Sequence, residues 1–170
     1  MQYHVARFAG LDAACASCVN TTQQRTYDGN GMPDVSIDFN GVQTDQDFNA
    51  RLLETRRIEA ANDTQGRKRI TQTDWHASLR VPTERRTLDA IGTLTAKINW
   101  VYNARGQVLS TTQTDLATGE IRTTANTWCE QVDVDTGICP RIGLLLSIDG
   151  PRTDIADTTT YTYYPSDDPA

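Results

Sequence analysis

A short frame recurs along the chain and constrains what the chain can fold into. An aromatic or large apolar residue is followed by Asp or Asn, and a Gly stands four positions after the aromatic residue. An Asp or Asn side chain can bond to main-chain N–H groups of the next turn, and Gly accepts the positive φ that a return strand needs. The frame is typical of a β-hairpin corner. It occurs at residues 27–31, 88–92 and 102–106, and at 48–52 without the Gly.

The composition favours strands over helices. The chain holds 25 Thr, 6 Tyr and 3 Trp, whereas the strong helix formers Lys and Glu number only 2 and 5. Thr and aromatic residues favour strands, and Asp, Asn and Gly favour turns. A single hairpin cannot cover its own face, so neighbouring hairpins must stack. We therefore predict an all-β fold of consecutive β-hairpins.

Charge and hydropathy exclude several classes of protein. In 170 residues, 16 Lys and Arg stand against 22 Asp and Glu, a net charge of −6. This balance argues against a nucleic-acid partner, which needs a basic face, and against an anionic membrane surface. The longest apolar run, residues 142–148, is far shorter than the roughly 18 residues of a membrane span. The first residues lack the apolar core of a secretory signal.

Alternation of apolar and polar residues places the individual strands. The clearest run is residues 94–102, and residues 35–39 lead into Asn40-Gly41, the strongest two-residue hairpin signal. Residues 51–60 are predicted as a strand rather than a short helix, and residues 61–66 as a loop between two strands. Further strands are predicted at 42–48, 107–114, 121–128 and 158–164, with a turn at 115–119.

The chain resembles the RHS or YD-repeat family over nearly its whole length, most clearly over residues 25–164. The resemblance implies a long β-sheet ribbon that spirals into a hollow shell, which in bacterial members encloses a C-terminal toxin. Such proteins act in interbacterial competition or at cell surfaces. The matching segments are Thr26-Tyr27-Asp28-Gly29-Asn30-Gly31, Phe39-Asn40-Gly41-Val42, Phe48-Asn49-Ala50-Arg51, Tyr102-Asn103-Ala104-Arg105-Gly106, Thr160-Tyr161-Thr162-Tyr163, and Thr73-Asp74-Trp75-His76 with Arg80 and Pro82.

The resemblance implies an organisation and a role. Residues 1–24 form an N-terminal segment, and residues 25–170 form one continuous YD-repeat region, a section of a spiralling β-shell taken from a longer array. The expected role is structural and non-catalytic, without a cofactor. The expected partners are adjoining RHS repeats and an enclosed C-terminal toxin. The expected location is outside the cell or at its surface, although the chain carries no signal peptide.

The recurring frame assigns architectural roles to particular residues. The aromatic residue of each frame ends a strand and is expected to pack inward. The Asp or Asn is expected to cap the turn, and the Gly to hold its geometry. The residues concerned are Tyr27, Phe48 and Tyr102 for packing, Asp28, Asn49 and Asn103 for capping, Gly31, Gly41 and Gly106 for turn geometry, and Asn40 beside Gly41.

Four cysteines allow three interpretations. Cys15 and Cys18 form a C-x-x-C, while Cys129 and Cys139 lie ten residues apart. An even number of cysteines in an exported type of protein favours disulfides over free thiols. A zinc site is less favoured, because the second pair is spaced too widely. Residues 130–138 are polar, contain a turn signal at 135–137 and break the repeat rhythm, as an inserted hairpin loop would. We predict a Cys129–Cys139 disulfide, with Cα atoms near the preferred distance of about 5.5 Å.

Other motifs have a functional and a structural interpretation. Residues 28–34 and 133–137 resemble calcium loops, but they lack the remaining EF-hand ligands, so turn capping is favoured. His76 could belong to a catalytic triad, yet no G-x-S-x-G elbow accompanies it, and a turn-stabilising role is favoured. Trp75, Trp100 and Trp128 could stack on sugars but are more often core residues. The alternative function is therefore a cell-surface carbohydrate-binding or adhesion module, assisted by calcium.

Overall fold

A computed structural model describes residues 6–8 and 23–164, and the predicted Cys15 and Cys18 sites lie outside these residues. The chain divides into two compact units, Met1–Lys97 and Ile98–Ala170. The division falls within one strand, so no Pro- or Gly-rich linker marks it in the sequence. Each unit has its own hairpins, and one repeat region over residues 25–170 stays a prediction.

Unit 1 is an antiparallel sheet in which each described strand pairs with the next strand along the chain. This order is the one that consecutive hairpins produce. The strands that lie wholly within the unit are β1 (Ala6–Phe8), β2 (Gln23–Tyr27), β3 (Pro33–Ile37), β4 (Gln43–Phe48), β5 (Glu54–Glu59), β6 (Arg69–Trp75) and β7 (Pro82–Leu88).

Strand β8 (Leu94–Tyr102) carries the chain from unit 1 into unit 2, and its bounds are the predicted ones. In unit 2, strands β9 to β12 again pair antiparallel in chain order. One short helix interrupts the described part of the unit, between β10 and β11. The prediction of an all-β fold built from consecutive hairpins is confirmed. The remaining elements are β9 (Val108–Asp115), β10 (Ile121–Trp128), α1 (Gln131–Asp135), β11 (Leu145–Asp149) and β12 (Thr158–Thr160).

Some predicted strand ends are wrong by a few residues because the capping side chain, not the alternation, decides where a turn begins. The strand expected over 35–39 ends at Ile37, since Asp38 caps the following turn. The strand expected over 51–60 is the shorter β5, because Arg51 and Leu53 belong to the preceding turn. The strand expected over 158–164 is limited to β12.

Very few side chains are completely covered. Among the described residues, those that are nearly fully buried are Leu53, Thr73, Cys129 and Cys139. Most other strand side chains are half-buried. A sheet usually needs a second layer packed across its face to form a core, so these units hold together mainly through strand pairing and their turns.

One face of unit 1 carries a row of apolar side chains. Direct cross-strand pairing links Val35 to Asp45, Asp45 to Ile58, Ile58 to Ile70 and Ile70 to Leu88. Directly paired residues point to the same face of a sheet. The four apolar members, which we call the apolar row, are all half-buried rather than enclosed.

Candidate functional site

Asp28 shows how a turn is built at the end of β2. Its Oδ1 atom accepts the main-chain N–H of Asn30 at 2.8 Å and that of Met32 at 2.9 Å. Its own N–H donates to the carbonyl of Met32, and Gly31 donates to the carbonyl of Asp28. These four hydrogen bonds close a five-residue segment, which we call a corner.

The same four hydrogen bonds occur at four further corners. Either Asp or Asn begins a corner because both supply an Oδ1 acceptor, and the residue three positions later always has a positive φ. One local structure therefore repeats five times among the described residues. The corners begin at Asp28, Asp38, Asn49, Asp89 and Asn103.

The corner at residues 38–42 differs from the predicted two-residue Asn40-Gly41 turn. Asp38 is the capping residue, and its Oδ1 accepts the N–H groups of Asn40 at 2.8 Å and Val42 at 2.9 Å. Asn40 is the third residue of the corner, and Gly41 is the fourth, with φ of 77°. The frame contains the signal for Asp38, because Ile37, Asp38 and Gly41 stand at its three defining positions.

The aromatic residues of the frame lie next to the corners. Tyr27 and Phe48 end β2 and β4, and Tyr102 ends β8. All three side chains are half-buried, so they pack against the sheet surface without entering an enclosed core. Burial raises the pKa of the Tyr102 hydroxyl above its ordinary value.

Arg51, the third residue of the corner that starts at Asn49, connects this corner to the β6–β7 loop. Its guanidinium donates to the carbonyl of His76 at 2.6 Å and to that of Leu79 at 2.8 Å. It also reaches the carbonyls of Ala77 and Ser78. We call this set the Arg51 bridge. A planar guanidinium with five donors is suited to such multiple acceptors.

His76 begins the loop that Arg51 contacts. Its Nδ1 atom lies 3.1 Å from the main-chain N of Leu79 and 3.3 Å from that of Ser78, and it accepts from both N–H groups. The N–H of His76 donates to the carbonyl of Val81 across the loop. The histidine thus stabilises the turn, and its Nδ1 is already engaged by the main chain.

Arg105 occupies the same position in the corner that starts at Asn103. Its guanidinium makes two hydrogen bonds to the carboxylate of Glu130, at 2.9 Å and 2.5 Å. Glu130 is the second residue of the connection between β10 and β11. The hydrogen bond from Arg105 lowers the pKa of Glu130 below its ordinary value. We call this contact the Arg105 bridge.

Two tryptophans end equivalent strands and make equivalent hydrogen bonds. The indole N–H of Trp75, at the end of β6, donates to the carbonyl of Glu54 at 2.8 Å. The indole N–H of Trp128, at the end of β10, donates to the carbonyl of Val108, also at 2.8 Å. Both indole donors therefore bind main-chain acceptors on the neighbouring, directly paired strand.

These contacts define a repeat that is longer than a single corner. The Asn residues are 103−49 = 54 positions apart, and the Trp residues are 128−75 = 53 positions apart. Glu54 and Val108 each follow the corner Asn by five positions. Each unit thus contains one copy of the same arrangement: a corner Asn, a bridging Arg, and a Trp that donates to the strand after the corner. The Asn-Ala-Arg triplets at 49–51 and 103–105 are the sequence signal for it.

The connection between β10 and β11 contains a disulfide between Cys129 and Cys139, whose Cα atoms are 6.4 Å apart. This is the predicted pair, but the loop differs from the simple hairpin expected over residues 130–138. Cys129 bonds through its main chain to Gly143 and Leu144, and Cys139 lies inside the loop after helix α1. The helix forms because the side chains of Glu130 and Asp133 cap its first turn reciprocally.

In the two segments that resemble calcium loops, carboxylate oxygens accept main-chain N–H groups of their own turns. Asp28 Oδ1 accepts two main-chain N–H groups, and Asp133 accepts the N–H of Glu130. Within residues 6–8 and 23–164, no three His, Cys, Asp or Glu side chains cluster as a metal site would require. The described residues also include no helix long and apolar enough to span a membrane.

The chain matches no protein-family model and no curated protein. The resemblance to RHS or YD-repeat proteins therefore rests on the motifs quoted above. The corners, the two bridges and the disulfide loop are the features of the structure from which a function can be argued.

Proposed function

We propose that the chain is a non-catalytic structural segment of an RHS-type protein, a section of a β-sheet wall that encloses a toxin cargo or acts at the cell surface in interbacterial competition. The observation that carries the proposal is the fivefold repetition of one corner. When the same turn joins each strand to the next, the sheet can be lengthened by adding further hairpins of the same kind. A long wall could be built from such a sheet.

The chemistry of the side chains supports a structural role. The polar groups that could serve catalysis or sugar binding bond to the main chain: Nδ1 of His76, and the indole N–H groups of Trp75 and Trp128. The guanidinium of Arg51 is likewise engaged by carbonyls. In such a wall these groups hold neighbouring hairpins together.

The apolar row supports the choice of one face as the inner face of the proposed wall. When another surface covers half-buried Ile and Leu side chains, the burial stabilises the assembly by about 25 cal/mol for each Å² of apolar surface. The proposed interior of the wall is therefore the face that carries Ile58, Ile70 and Leu88, and the cargo or neighbouring repeats cover it. The oxidised Cys129–Cys139 pair supports a location outside the cytoplasm.

The test uses the complete gene product and two neighbouring positions on β6. Ile70 belongs to the apolar row, and Thr71 points to the opposite face because side chains alternate along a strand. We expect the wild type and Thr71→Glu to protect a second polypeptide segment from trypsin, and Ile70→Glu to expose it. Circular dichroism verifies that both variants keep their strands.

Three results would contradict the proposal. The first is a gene product in which trypsin finds no protected second segment. The second is an equal effect of Ile70→Glu and Thr71→Glu on protection. The third is a specific hit on a glycan array that is lost with Trp75→Phe, since this result would favour the carbohydrate-binding module instead.

A further inference from the structure

In each unit, the connection that follows the Trp-ended strand is held by different contacts. In unit 1, residues 76–81 join β6 to β7, and the Arg51 bridge holds four consecutive carbonyls of this loop. In unit 2, the longer segment 129–144 joins β10 to β11, and the Arg105 bridge holds only Glu130. The side chains of Arg105 and Glu130 are 39% and 48% exposed, a setting in which an ion pair stabilises little.

In unit 2 the disulfide supplies a covalent closure, in addition to the main-chain hydrogen bonds of Cys129 with Gly143 and Leu144. Cys129 is 0% exposed and Cys139 is 3% exposed, and they are the described side chains of this unit that are nearly fully covered. Small domains without a sufficient apolar core commonly depend on such a bond. Among the described residues of unit 1, the nearly fully covered side chains are Leu53 and Thr73, which have no redox chemistry.

We propose that closure of the connection 129–144 depends on oxidation of Cys129 and Cys139, so that this connection senses the redox state of its compartment and the loop 76–81 of unit 1 does not. A dithiol reductant would transfer two electrons and two protons, becoming a disulfide while Cys129 and Cys139 become thiols. Because attack requires access to a sulfur atom, the covered bond resists reduction once the loop has closed. Before oxidation the connection is held only by its hydrogen bonds, and after oxidation the disulfide holds it as well.

This inference goes beyond the proposed function, because it requires no cargo and no neighbouring repeats. If the chain does form part of an exported wall, unit 2 remains loosely closed in a reducing cytoplasm and tightens outside it. If the wall proposal fails, the oxidation-dependent closure can still be measured on the isolated chain. The two proposals are thus tested by separate observations.

The experiment is hydrogen–deuterium exchange of the full chain, read by mass spectrometry, before and after reduction with dithiothreitol in mild denaturant that is then removed. A Cys15→Ser, Cys18→Ser background assigns any effect to the other two cysteines. Closing a ten-residue loop by a disulfide changes the opening equilibrium about a hundredfold. We expect exchange in residues 129–144 to rise by about this factor, and exchange in residues 76–81 to change less than about twofold.

Reoxidation with oxidised glutathione is expected to restore protection of residues 129–144. The matched control is Arg51→Ala, which should raise exchange in residues 76–81 equally in both redox states. A rise in exchange of residues 129–144 on reduction, with residues 76–81 still protected, supports the proposal. Unchanged protection of residues 129–144 after reduction, or an equal loss in both segments, overturns it.

Discussion

Arg51 donates from Nη1 to the carbonyl of His76 at 2.6 Å, across 25 residues of sequence. Arg80, in the same loop, donates back to the carbonyl of Arg51 at 3.0 Å. The corner and the loop are therefore joined in both directions. Since the described part of unit 1 has little enclosed core, contacts between neighbouring hairpins of this kind account for a large share of its cohesion.

We predict that Arg51→Ala lowers the free energy of unfolding of unit 1 by about 1–3 kcal/mol. The change removes charge-assisted hydrogen bonds to loop carbonyls, and water replaces these bonds only in part. Arg51→Lys should recover little of this loss, since an ammonium group cannot span four carbonyls as a guanidinium does. Urea unfolding, followed by exchange at residues 76–81, measures both effects. Full recovery by Lys would mean that charge alone, not the planar donor set, holds the loop.

The capping side chain of each corner gives a second prediction. Asp89→Ala removes an acceptor used by Ile91 and Thr93, and by comparison with helix caps it should cost about 1 kcal/mol. Asp89→Asn keeps Oδ1 and should cost less than about half as much, because the chain itself uses Asn at two other corners. Urea unfolding of the two variants measures the difference. Equal losses would show that the negative charge, and not the acceptor, is required.

The corners explain how much of the fold the sequence could predict. The frame of Tyr27, Asp28 and Gly31 is local, so its hydrogen bonds need no distant partner and the sequence alone indicates the turn. Strand β8 was equally predictable because its alternation runs over nine residues. Strand β6 was not predicted as a separate element, since its polar residues do not alternate clearly with Ile70 and Trp75.

The bridges could not be predicted in the same way. Nothing near Arg51 in the sequence indicates that its acceptors begin at His76, because that contact depends on which corners share an edge of the sheet. The Cys129–Cys139 pair was predictable from spacing, but helix α1 inside the loop was not. A helix of five residues is stabilised by the reciprocal cap of Glu130 and Asp133, which is too weak a pattern to read from sequence.

A third prediction concerns the dependence of unit 1 stability on pH. Burial raises the pKa of Glu54, but hydrogen bonds from Arg57 and Gln46, together with the charge of Arg57, lower it below the ordinary value of 4.5. A carboxyl group with a lowered folded pKa stabilises the folded state above its unfolded pKa. This contribution is lost as the pH falls from about 4.5 through the lower folded value.

Glu54→Gln should therefore remove part of the decline in stability on the acid side, and Arg57→Met should reduce the same part by removing the donor. Urea unfolding of the three proteins between roughly pH 6 and pH 3 measures the slopes. The difference between the wild type and Glu54→Gln isolates this carboxyl from others that titrate in the same range. Parallel curves for the wild type and Glu54→Gln would contradict the role given to the Arg57 contact.

The last prediction concerns Leu52, which stands where the other four corners have Gly and adopts φ of 58°. A non-glycine residue in this left-handed region costs about 1–2 kcal/mol. Its side chain is 44% exposed, so replacing it loses little packing. Leu116 is also 44% exposed and is absent from the described residues with positive φ, which makes it a matched control.

Both Leu52→Gly and Leu116→Gly add the same chain entropy to the unfolded state, about 0.5–1 kcal/mol. The difference between their effects should therefore isolate the backbone strain, and we expect Leu52→Gly to be more favourable by about 1–2 kcal/mol. Conversely, Gly106→Leu should destabilise its corner by a similar amount, because Gly106 has φ of 78°. Native-state hydrogen exchange measures each change within its own unit. Equal effects of the two Leu→Gly changes would mean that the corner at Asn49 relaxes to accept leucine without strain.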